Sequence, residues 1–272
     1  MTQPPKYHIT LIGCGKMGTA LIHGWMGADL LKRADILDPS PIHDSLMIFQ
    51  SLFHVKQAAQ LDLQNTDMVI LAVKPQIMTQ ICTDLKDMLP TGLPVLSIAA
   101  GKTTAYFSEH LGTDTPVIRT MPNTPAAIGK GVTALYATDN VSAAQRNMAQ
   151  KLMQAVGQTL WLEDESLMDA VTALSGSGPA YVFYLIEAMA KAGIKIGLPE
   201  DQAMMLARQT IIGAAGLAEN DSKIPAAILR QNVTSPGGTT EAALNILMDG
   251  KFQDIMDNAI AAATKRGREL AD

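Results

Sequence analysis

The stretch HITLIGCGKMG, residues His8–Gly18, places an apolar run directly ahead of three glycines at G-x-G-x-x-G spacing. A strand that turns through such glycines into a helix is typical of a dinucleotide-binding βαβ unit. Gly13 permits the tight turn, Gly15 lets the backbone approach a pyrophosphate, and Gly18 lets the helix pack closely on the sheet. The helix N-terminus offers free N–H groups to the phosphates. An ordinary glycine-rich turn is the less favoured interpretation.

Short apolar runs alternate with helical patterns over the first part of the chain. Helices such as Gln76–Met88 and Ser142–Val156 are predicted between strands at His8–Ile12, Ala34–Leu37, Met68–Val73, Pro94–Ala100, Pro116–Met121, Val132–Ala137 and Thr159–Leu162. This alternation indicates a mostly parallel sheet with helices on both faces.

From Asp164 onward the pattern is helical only. The segments Tyr181–Ala192 and Ala203–Ala218 are apolar on nearly every side, which is typical of helices buried by several neighbours. We therefore expect an α/β fold with a Rossmann-type, doubly wound domain over residues 1–164. An all-α dimerisation domain, completed by a partner chain, is expected over residues 165–272.

Composition excludes several classes of function. The net charge of −5 argues against a nucleic-acid footprint, and no uncharged apolar run reaches the length of a membrane span. The first residues lack the pattern of a signal peptide. Two distant cysteines, Cys14 and Cys82, do not form a disulfide framework, and the five histidines have no metal-ligand spacing. We expect a cytoplasmic protein with no metal, nucleic-acid or membrane partner.

Asp38 follows the second predicted strand. An acid at this position accepts from the ribose 2′-hydroxyl of NAD and repels the 2′-phosphate of NADP. Proline and serine follow it at residues 39–41, rather than arginine, so Asp38 favours NADH. A cap of the turn before Pro39 accounts for the residue about equally well, and Lys32 and Arg33 could still reach a phosphate.

Three further turns follow predicted strands. They are AVKP at Ala72–Pro75, AAGK at Ala99–Lys102 and MPNTP at Met121–Pro125. Each turn taken alone is better explained as an ordinary loop than as a binding site. Ligands of doubly wound sheets bind at the carboxyl edge of the strands, so the coincidence of three such turns favours a binding site there.

The segment SPGGTT, Ser235–Thr240, precedes a predicted helix. A proline and two glycines make a tight loop whose N–H groups can converge, and bare amides at a helix N-terminus form an anion site. The nucleotide phosphates have a site far upstream, so this second site would suit a substrate carboxylate. A capped helix start without a ligand accounts for the spacing at least as well.

Six runs occur in the order IGCGKMG, AVKP, SIAAG, RTMPNTPA, ALSGSGPAYVF and SPGGTT. In these runs the sequence resembles the pyrroline-5-carboxylate reductases, which make proline by reducing a cyclic imine with NADPH or NADH. The resemblance implies a helical domain that interlocks two subunits, with larger homo-oligomers built from such dimers. Two alternatives stay open: a β-hydroxyacid dehydrogenase-like enzyme, which would need a lysine acid where only Lys191 and Lys195 occur, and a non-catalytic dinucleotide-sensing protein.

Carried over by position, the resemblance implies the functional residues. The cofactor would be held by Ile12, Gly13, Cys14, Gly15, Lys16, Met17, Gly18, Asp38, Ala72, Val73, Lys74, Pro75, Ala99, Ala100 and Gly101, with Asn123 near the nicotinamide. The substrate would be held by Ser235, Gly237, Gly238, Thr239 and Thr240, with Thr240 hydrogen-bonded to the ring nitrogen as the catalytic residue. Asp38 departs from the hydroxyl residue or asparagine of other members, which leaves NADPH against NADH open. Lys102 replaces an expected apolar residue.

Overall fold

A computed structural model describes residues 6–270 of the chain. Within them the strands form one eight-stranded sheet in the order β3-β2-β1-β4-β5-β6-β7-β8. Neighbouring strands are parallel except β6 and β7, which are antiparallel. Their bounds are β1 Tyr7–Ile12, β2 Leu31–Leu37, β3 Leu52–Val55, β4 Met68–Leu71, β5 Val95–Ser97, β6 Val117–Met121, β7 Gly131–Ala137 and β8 Gly157–Trp161.

The α-helices have lengths from one turn to almost six. They are α1 Lys16–Gly27, α2 Met78–Lys86, α3 Thr104–Leu111, α4 Ala143–Gln154, α5 Met168–Val171, α6 Gly178–Lys195, α7 Glu200–Asn220, α8 Ala226–Asn232, α9 Thr239–Leu247 and α10 Lys251–Glu269. A short π-helical segment, Thr172–Gly176, lies between α5 and α6. The glycines and proline of SGSGP, Ser175–Pro179, therefore interrupt the regular α-helical run.

Both faces of the sheet are covered. One apolar cluster contains Trp25 of α1 and Leu152 of α4, and the Trp25 indole N–H donates to the Leu152 carbonyl at 2.9 Å. A second cluster contains Met78 of α2 and Phe107 of α3. Since β4 is completely buried between them, it is an unbroken apolar run instead of an alternating one. The predicted mostly parallel, doubly wound α/β sheet is confirmed.

The seven predicted strands are all present, but β3 was missed. It is short, and it carries the half-exposed Phe53 and the polar His54, so it lacks the apolar run by which the other strands were recognised. The fifth strand of the sheet, β5, is shorter than the predicted Pro94–Ala100. The chain leaves the strand after Ser97, whose hydroxyl accepts from the Ala99 N–H at 3.2 Å.

By contacts, the chain divides into two compact units. The first contains the residues up to Ser177 together with those from Ala263 onward, and the second is Gly178–Ala262. The division lies later than the predicted boundary between residues 164 and 165, because Glu165 and Asp169 pair with Arg119 in β6. The predicted boundary between the two domains stays a prediction.

The second unit is helical throughout. Gly193 of α6 lies close to α7, where a Cβ at Gly193 would be 3.3 Å from that of Ala203. The apolar side chains of α6 and α7 are only partly covered within this chain, since Phe183 is 61% exposed and Leu217 is 59% exposed. The expectation that these helices are buried on several sides is thus not met within a single chain.

The contact of α1 with the turn before β8 supplies a test of the packing. A Cβ at Gly24 would lie 2.3 Å from Val156 Cγ1 and 3.0 Å from the Ala155 carbonyl oxygen. Gly24→Ala should therefore lower the free energy of unfolding by about 1–3 kcal/mol through overpacking. Gly27→Ala, in the same helix with no described heavy atom within 4 Å of its Cβ position, is the control. Urea unfolding measures both, and equal stabilities of the two variants would contradict the packing.

Candidate dinucleotide and substrate sites

Gly13 lies where β1 meets the AVKP turn. Its φ is +89°, and a Cβ there would lie 2.7 Å from the carbonyl oxygen of Ala72 and 2.8 Å from Val73 Cγ1. The Gly13 N–H donates to the Leu37 carbonyl at 2.8 Å, and the Ala72 N–H donates to the Ile12 carbonyl at 2.7 Å. The structure thus brings the glycine loop into direct contact with Ala72–Pro75, two segments that the sequence separates widely.

Gly18 has the packing role predicted for it, whereas the role of Gly15 beside a pyrophosphate stays a prediction. A Cβ at Gly18 would lie 2.7 Å from the Gly13 carbonyl oxygen and 3.4 Å from Leu11 Cδ2, so only glycine lets α1 approach this closely. At Gly15 the Cβ position has no described heavy atom within 4 Å. The first helical hydrogen bond runs from the Thr19 N–H to the Gly15 carbonyl, which leaves the amides of residues 16–18 outside the ladder. This open N-terminus fits a pyrophosphate.

The Asp38 carboxylate lies on the glycine loop. Its Oδ2 accepts from the Cys14 N–H at 2.7 Å, and its Oδ1 accepts from the Ser40 N–H at 2.9 Å. Asp38 therefore caps its own turn, while its contact with the ribose stays a prediction that its position at the carboxyl edge beside the loop allows. A cavity of about 410 Å³ opens next to it at the end of β3 and is lined by His54, Val55, Lys56, Gln57 and Gln60.

The suggestion that Lys32 or Arg33 reaches a cofactor phosphate is wrong. Both residues lie at the start of β2, whereas phosphates bind at the carboxyl ends of the strands. The Arg33 Nε donates to Asp35 Oδ1 at 2.8 Å, and its guanidinium lies 4.2 Å from the centre of the Phe53 ring. A positively charged residue that was not identified from the sequence, Lys56, lines the cavity at the end of β3.

Cys14 is a buried thiol inside the glycine loop. Burial raises the pKa of this thiol, the hydrogen bond with Thr19 opposes the rise, and the Asp38 charge adds to it. Burial alone raises the pKa of Cys82 to about 11. Neither thiol is therefore activated as a nucleophile at neutral pH. Among the described residues no group of three His, Cys, Asp or Glu side chains is arranged to hold a metal ion.

The turn after β5 lies on the same edge as the glycine loop, because β1, β4 and β5 are consecutive in the sheet. Ala99 is buried, and Gly101 has a φ of +77°. The Lys102 ammonium lies 4.4 Å from the centre of the Tyr106 ring, a cation–π contact that explains how a lysine is accommodated after AAG.

Asn123 joins two of the motifs. Its Nδ2 donates to the Ser175 carbonyl and hydroxyl oxygens, each at 3.3 Å, and its Oδ1 accepts from the Val132 N–H at 3.0 Å. A Cβ at Gly176 would lie 2.5 Å from Met121 Cε, so the MPNTP turn also packs on the SGSG segment. The sequence placed Asn123 near the nicotinamide, which stays a prediction. Its link to Ser175 was missed, since nothing local connects the two.

The loop Ser235–Thr240 is closed by its own hydrogen bonds. The Gly238 N–H donates to the Ser235 carbonyl at 3.0 Å, and the Gly237 N–H donates to Glu241 Oε2 at 2.7 Å. The positive φ of Gly237, +70°, is what the turn requires. The sequence missed this use of Glu241, although an acid at the third helical position after a cap is a known N-terminal signal.

The donors that remain for an anion lie in the first turn of α9. The first helical hydrogen bond runs from the Ala242 N–H to the Gly238 carbonyl at 3.2 Å, so the amides of residues 239–241 lie outside the ladder. The hydroxyl residues Ser235, Thr239 and Thr240 flank these amides, and Ser235 and Thr239 are exposed. The arrangement fits a carboxylate held by amides and hydroxyls.

Two family models match the chain. One, described as pyrroline-5-carboxylate reductase dimerisation, matches residues 165–270, and another, described as NADP oxidoreductase coenzyme F420-dependent, matches residues 8–101. The pyrroline-5-carboxylate reductase of Pseudomonas aeruginosa is 42% identical to the chain, and 97% of each sequence is covered. That of Arabidopsis thaliana is 38% identical over 98% of this chain and 96% of the relative.

Solved structures give the same relationship. A pyrroline-5-carboxylate reductase from Coxiella burnetii is similar with a TM-score of 0.90 and 36% identity, covering 98% of this chain and 99% of the other. The Plasmodium falciparum pyrroline carboxylate reductase with NADP bound has a TM-score of 0.83 and 29% identity, covering 98% of each chain.

The position of Asp38 predicts its effect on dinucleotide choice. Asp38→Asn removes the charge but keeps an acceptor for the Cys14 N–H, so the loop should keep its shape. The ratio of NADP⁺ to NAD⁺ affinity should rise by roughly tenfold, or about 1.4 kcal/mol, as repulsion of the 2′-phosphate is relieved. Calorimetric titration measures both affinities.

The control is Asp84→Asn, which removes the charge of an exposed acid on α2. It should leave the affinity ratio unchanged. An unchanged ratio in Asp38→Asn as well would show that the carboxylate does not face the ribose.

Proposed function

The chain belongs to the pyrroline-5-carboxylate reductase family, and we propose how its two binding loops serve the reaction. The enzyme reduces 1-pyrroline-5-carboxylate to L-proline with NADPH or NADH. The single observation that carries the assignment of the nucleotide site is the open N-terminus of α1 at Gly15, which lies on the edge where β1, β4 and β5 end. Bare amides at that edge are what a dinucleotide pyrophosphate requires.

The dinucleotide is proposed to lie along this edge. The first-turn amides of α1 receive the pyrophosphate, and Asp38 accepts from the adenosine ribose. The turns Ala72–Pro75 and Ala99–Gly101 line the nicotinamide half, with Asn123 close to the ring. The cofactor, when bound, supplies the hydride.

The substrate is proposed to bind at Ser235–Thr240. The amides ahead of Ala242 and the neighbouring hydroxyls hold the substrate carboxylate, and the positive end of the α9 dipole favours its charge. The Thr240 hydroxyl accepts a hydrogen bond from the protonated ring nitrogen, the form in which a C=N bond is most electrophilic. Holding these two points fixes the orientation of the C=N carbon, which is the main contribution required of the protein.

No reactive side chain is needed for this chemistry. The hydride adds directly to the carbon of the imine, so a covalent intermediate with the protein has no role. The raised pKa values of the Cys14 and Cys82 thiols agree with this assignment. Free cysteines are also typical of a reducing compartment, and we propose a cytoplasmic location. Among residues 6–270 no helix is both long enough and apolar enough to cross a membrane.

The β-hydroxyacid dehydrogenase alternative receives no support from α6. That scheme needs a lysine acid on this helix, but the Lys191 ammonium lies 3.9 Å from Glu187 on the same helix and is 69% exposed. A protein that only senses the dinucleotide would have no use for the closed, hydroxyl-lined loop at Ser235–Thr240.

The match to a dimerisation family indicates that the chain self-associates. We propose a homodimer built from the helices of the second unit, with larger assemblies formed from such dimers. The support is the partly exposed apolar surface of α6 and α7, which includes Phe183 at 61%, Tyr184 at 68% and Met205 at 59% exposure. A twofold pairing would bury both copies of this surface at once.

The role of Thr240 can be tested with two substitutions. Thr240→Ala should lower kcat/KM for pyrroline-5-carboxylate by roughly 5- to 150-fold, which corresponds to about 1–3 kcal/mol, because one hydrogen bond to the substrate is lost. Thr240→Ser keeps the hydroxyl and should retain most of the activity. Dinucleotide affinity should be unchanged in both variants. Full activity in Thr240→Ala would remove Thr240 from the mechanism.

The proposed dimer predicts that fold and activity depend on concentration. An apolar helical surface of this kind leaves no stable monomer, so dilution should reduce sedimentation coefficient, helical circular dichroism and activity together. Sedimentation velocity from micromolar to nanomolar protein measures this, and the same data report any larger assembly. A folded, active monomer at nanomolar concentration would contradict the proposal.

A further inference from the structure

The turn between β5 and α3, Ala99–Thr104, is fixed where it leaves the sheet. The Ala99 N–H donates to the Ser97 hydroxyl at 3.2 Å, and the Ser97 carbonyl accepts from the Thr120 hydroxyl at 2.9 Å. Ser97 and Thr120 are both buried, and they lie on the adjacent strands β5 and β6. The entry to the turn therefore has little freedom.

The exit of the turn is held by a charge network in which Arg119 is buried and the carboxylates of Glu165 and Asp169 are partly buried. Glu165 Oε1 accepts from the Thr104 N–H at 2.8 Å, and Glu165 Oε2 accepts from the Thr104 hydroxyl. The same Oε1 accepts from Arg119 Nη1 at 2.9 Å, and Arg119 Nη2 lies 3.8 Å from Asp169 Oδ1. Arg119 is 3% exposed and lies opposite Ser97 in the sheet, so the network starts beside the strand from which the turn departs.

The outer side of the turn is covered by residues 267–270. A Cβ at Gly101 would lie 2.9 Å from the Leu270 carbonyl oxygen, and one at Gly267 would lie 3.5 Å from Asp169 Oδ1. The last turn of α10 thus lies beside the acid that faces Arg119, and Leu270, which follows the helix, touches the turn at Gly101. Residues of β6, of the segment after β8 and of the range 267–270 therefore surround the six residues of this turn.

We propose that Arg119 and Glu165 are positioning residues for the cofactor, fixing Ala99–Lys102 in the shape that receives the nicotinamide half of the dinucleotide. The inference rests on the proposed cofactor role of Ala99–Gly101. Glu165 is central to the network, because its single carboxylate accepts hydrogen bonds from the Thr104 amide, the Thr104 hydroxyl and the Arg119 guanidinium. Without it, the exit of the turn loses two hydrogen bonds, and Arg119 keeps only a distant carboxylate.

A purely structural role makes a different prediction. A network that only stabilises the fold would lower the unfolding temperature when broken, but the molecules still folded would bind the cofactor as before. A positioning role changes the affinity of fully folded protein for the dinucleotide. The two roles separate when affinity is measured well below the unfolding temperature.

The experiment uses full-length protein and NADP⁺ as the probe, titrated calorimetrically at a temperature where circular dichroism shows complete folding. Glu165→Ala should raise the Kd for NADP⁺ at least tenfold. Glu165→Gln keeps an acceptor for both the Thr104 amide and Arg119, and it should stay within about threefold of wild type. The exposed neighbour Glu163→Ala is the matched control and should bind as wild type.

Steady-state kinetics supply a second readout. In Glu165→Ala the KM for NADPH should rise with the Kd, while the KM for pyrroline-5-carboxylate stays within about twofold. If Glu165→Ala does not fold, Thr104→Val replaces it, since this change removes only the hydroxyl hydrogen bond and should still raise the Kd severalfold. A wild-type Kd in folded Glu165→Ala or Thr104→Val would overturn the inference. Turnover of pyrroline-5-carboxylate by the wild type tests the proposed function separately, because the affinities are measured without substrate.

Discussion

The missing side chain at Gly13 is the constraint on which the nucleotide-binding edge depends. A Cβ at Gly13 would lie 2.7 Å from the Ala72 carbonyl oxygen and 2.8 Å from Val73 Cγ1, and a Cβ at Gly18 would lie 2.7 Å from the Gly13 carbonyl oxygen. Any Cβ at these glycines would force β1, the AVKP turn and α1 apart. The close approach brings the N-terminus of α1 to the edge where β4 and β5 end, and it makes backbone amides, rather than charged side chains, the groups presented to a ligand.

Carboxylates accept from backbone amides at three of the loops assigned to a ligand. Asp38 accepts from the Cys14 amide, Glu165 from the Thr104 amide and Glu241 from the Gly237 amide. Each acid fixes a loop at or beside a helix N-terminus, where unpaired N–H groups and the helix dipole favour negative charge. The loops are therefore held in shape before a ligand arrives, and preorganisation of this kind lowers the entropy lost on binding.

The two compact units bury their apolar surfaces differently. The sheet closes its own core, with Trp25, Phe107 and the whole of β4 inaccessible to water. The helices of the second unit leave large apolar side chains partly exposed, including Tyr184 and Ile212. Apolar patches of this kind are typical of protein–protein interfaces, which is why the proposed dimer is built from the helical unit.

The sequence by itself determined the α/β class, the seven strands carried by apolar runs, the glycine loop and the order of the family motifs. These features are local, since each depends on the period of a single segment or on glycine at a fixed spacing. The sequence missed β3, whose pairing with β2 supports a strand that its composition does not predict. Only the tertiary structure placed Asp38 on the Cys14 amide, joined Asn123 to Ser175 and enclosed Ala99–Thr104 between Glu165 and Leu270. Those contacts join segments far apart in the chain, and their partners are selected by the order of strands in the sheet, which no local pattern records.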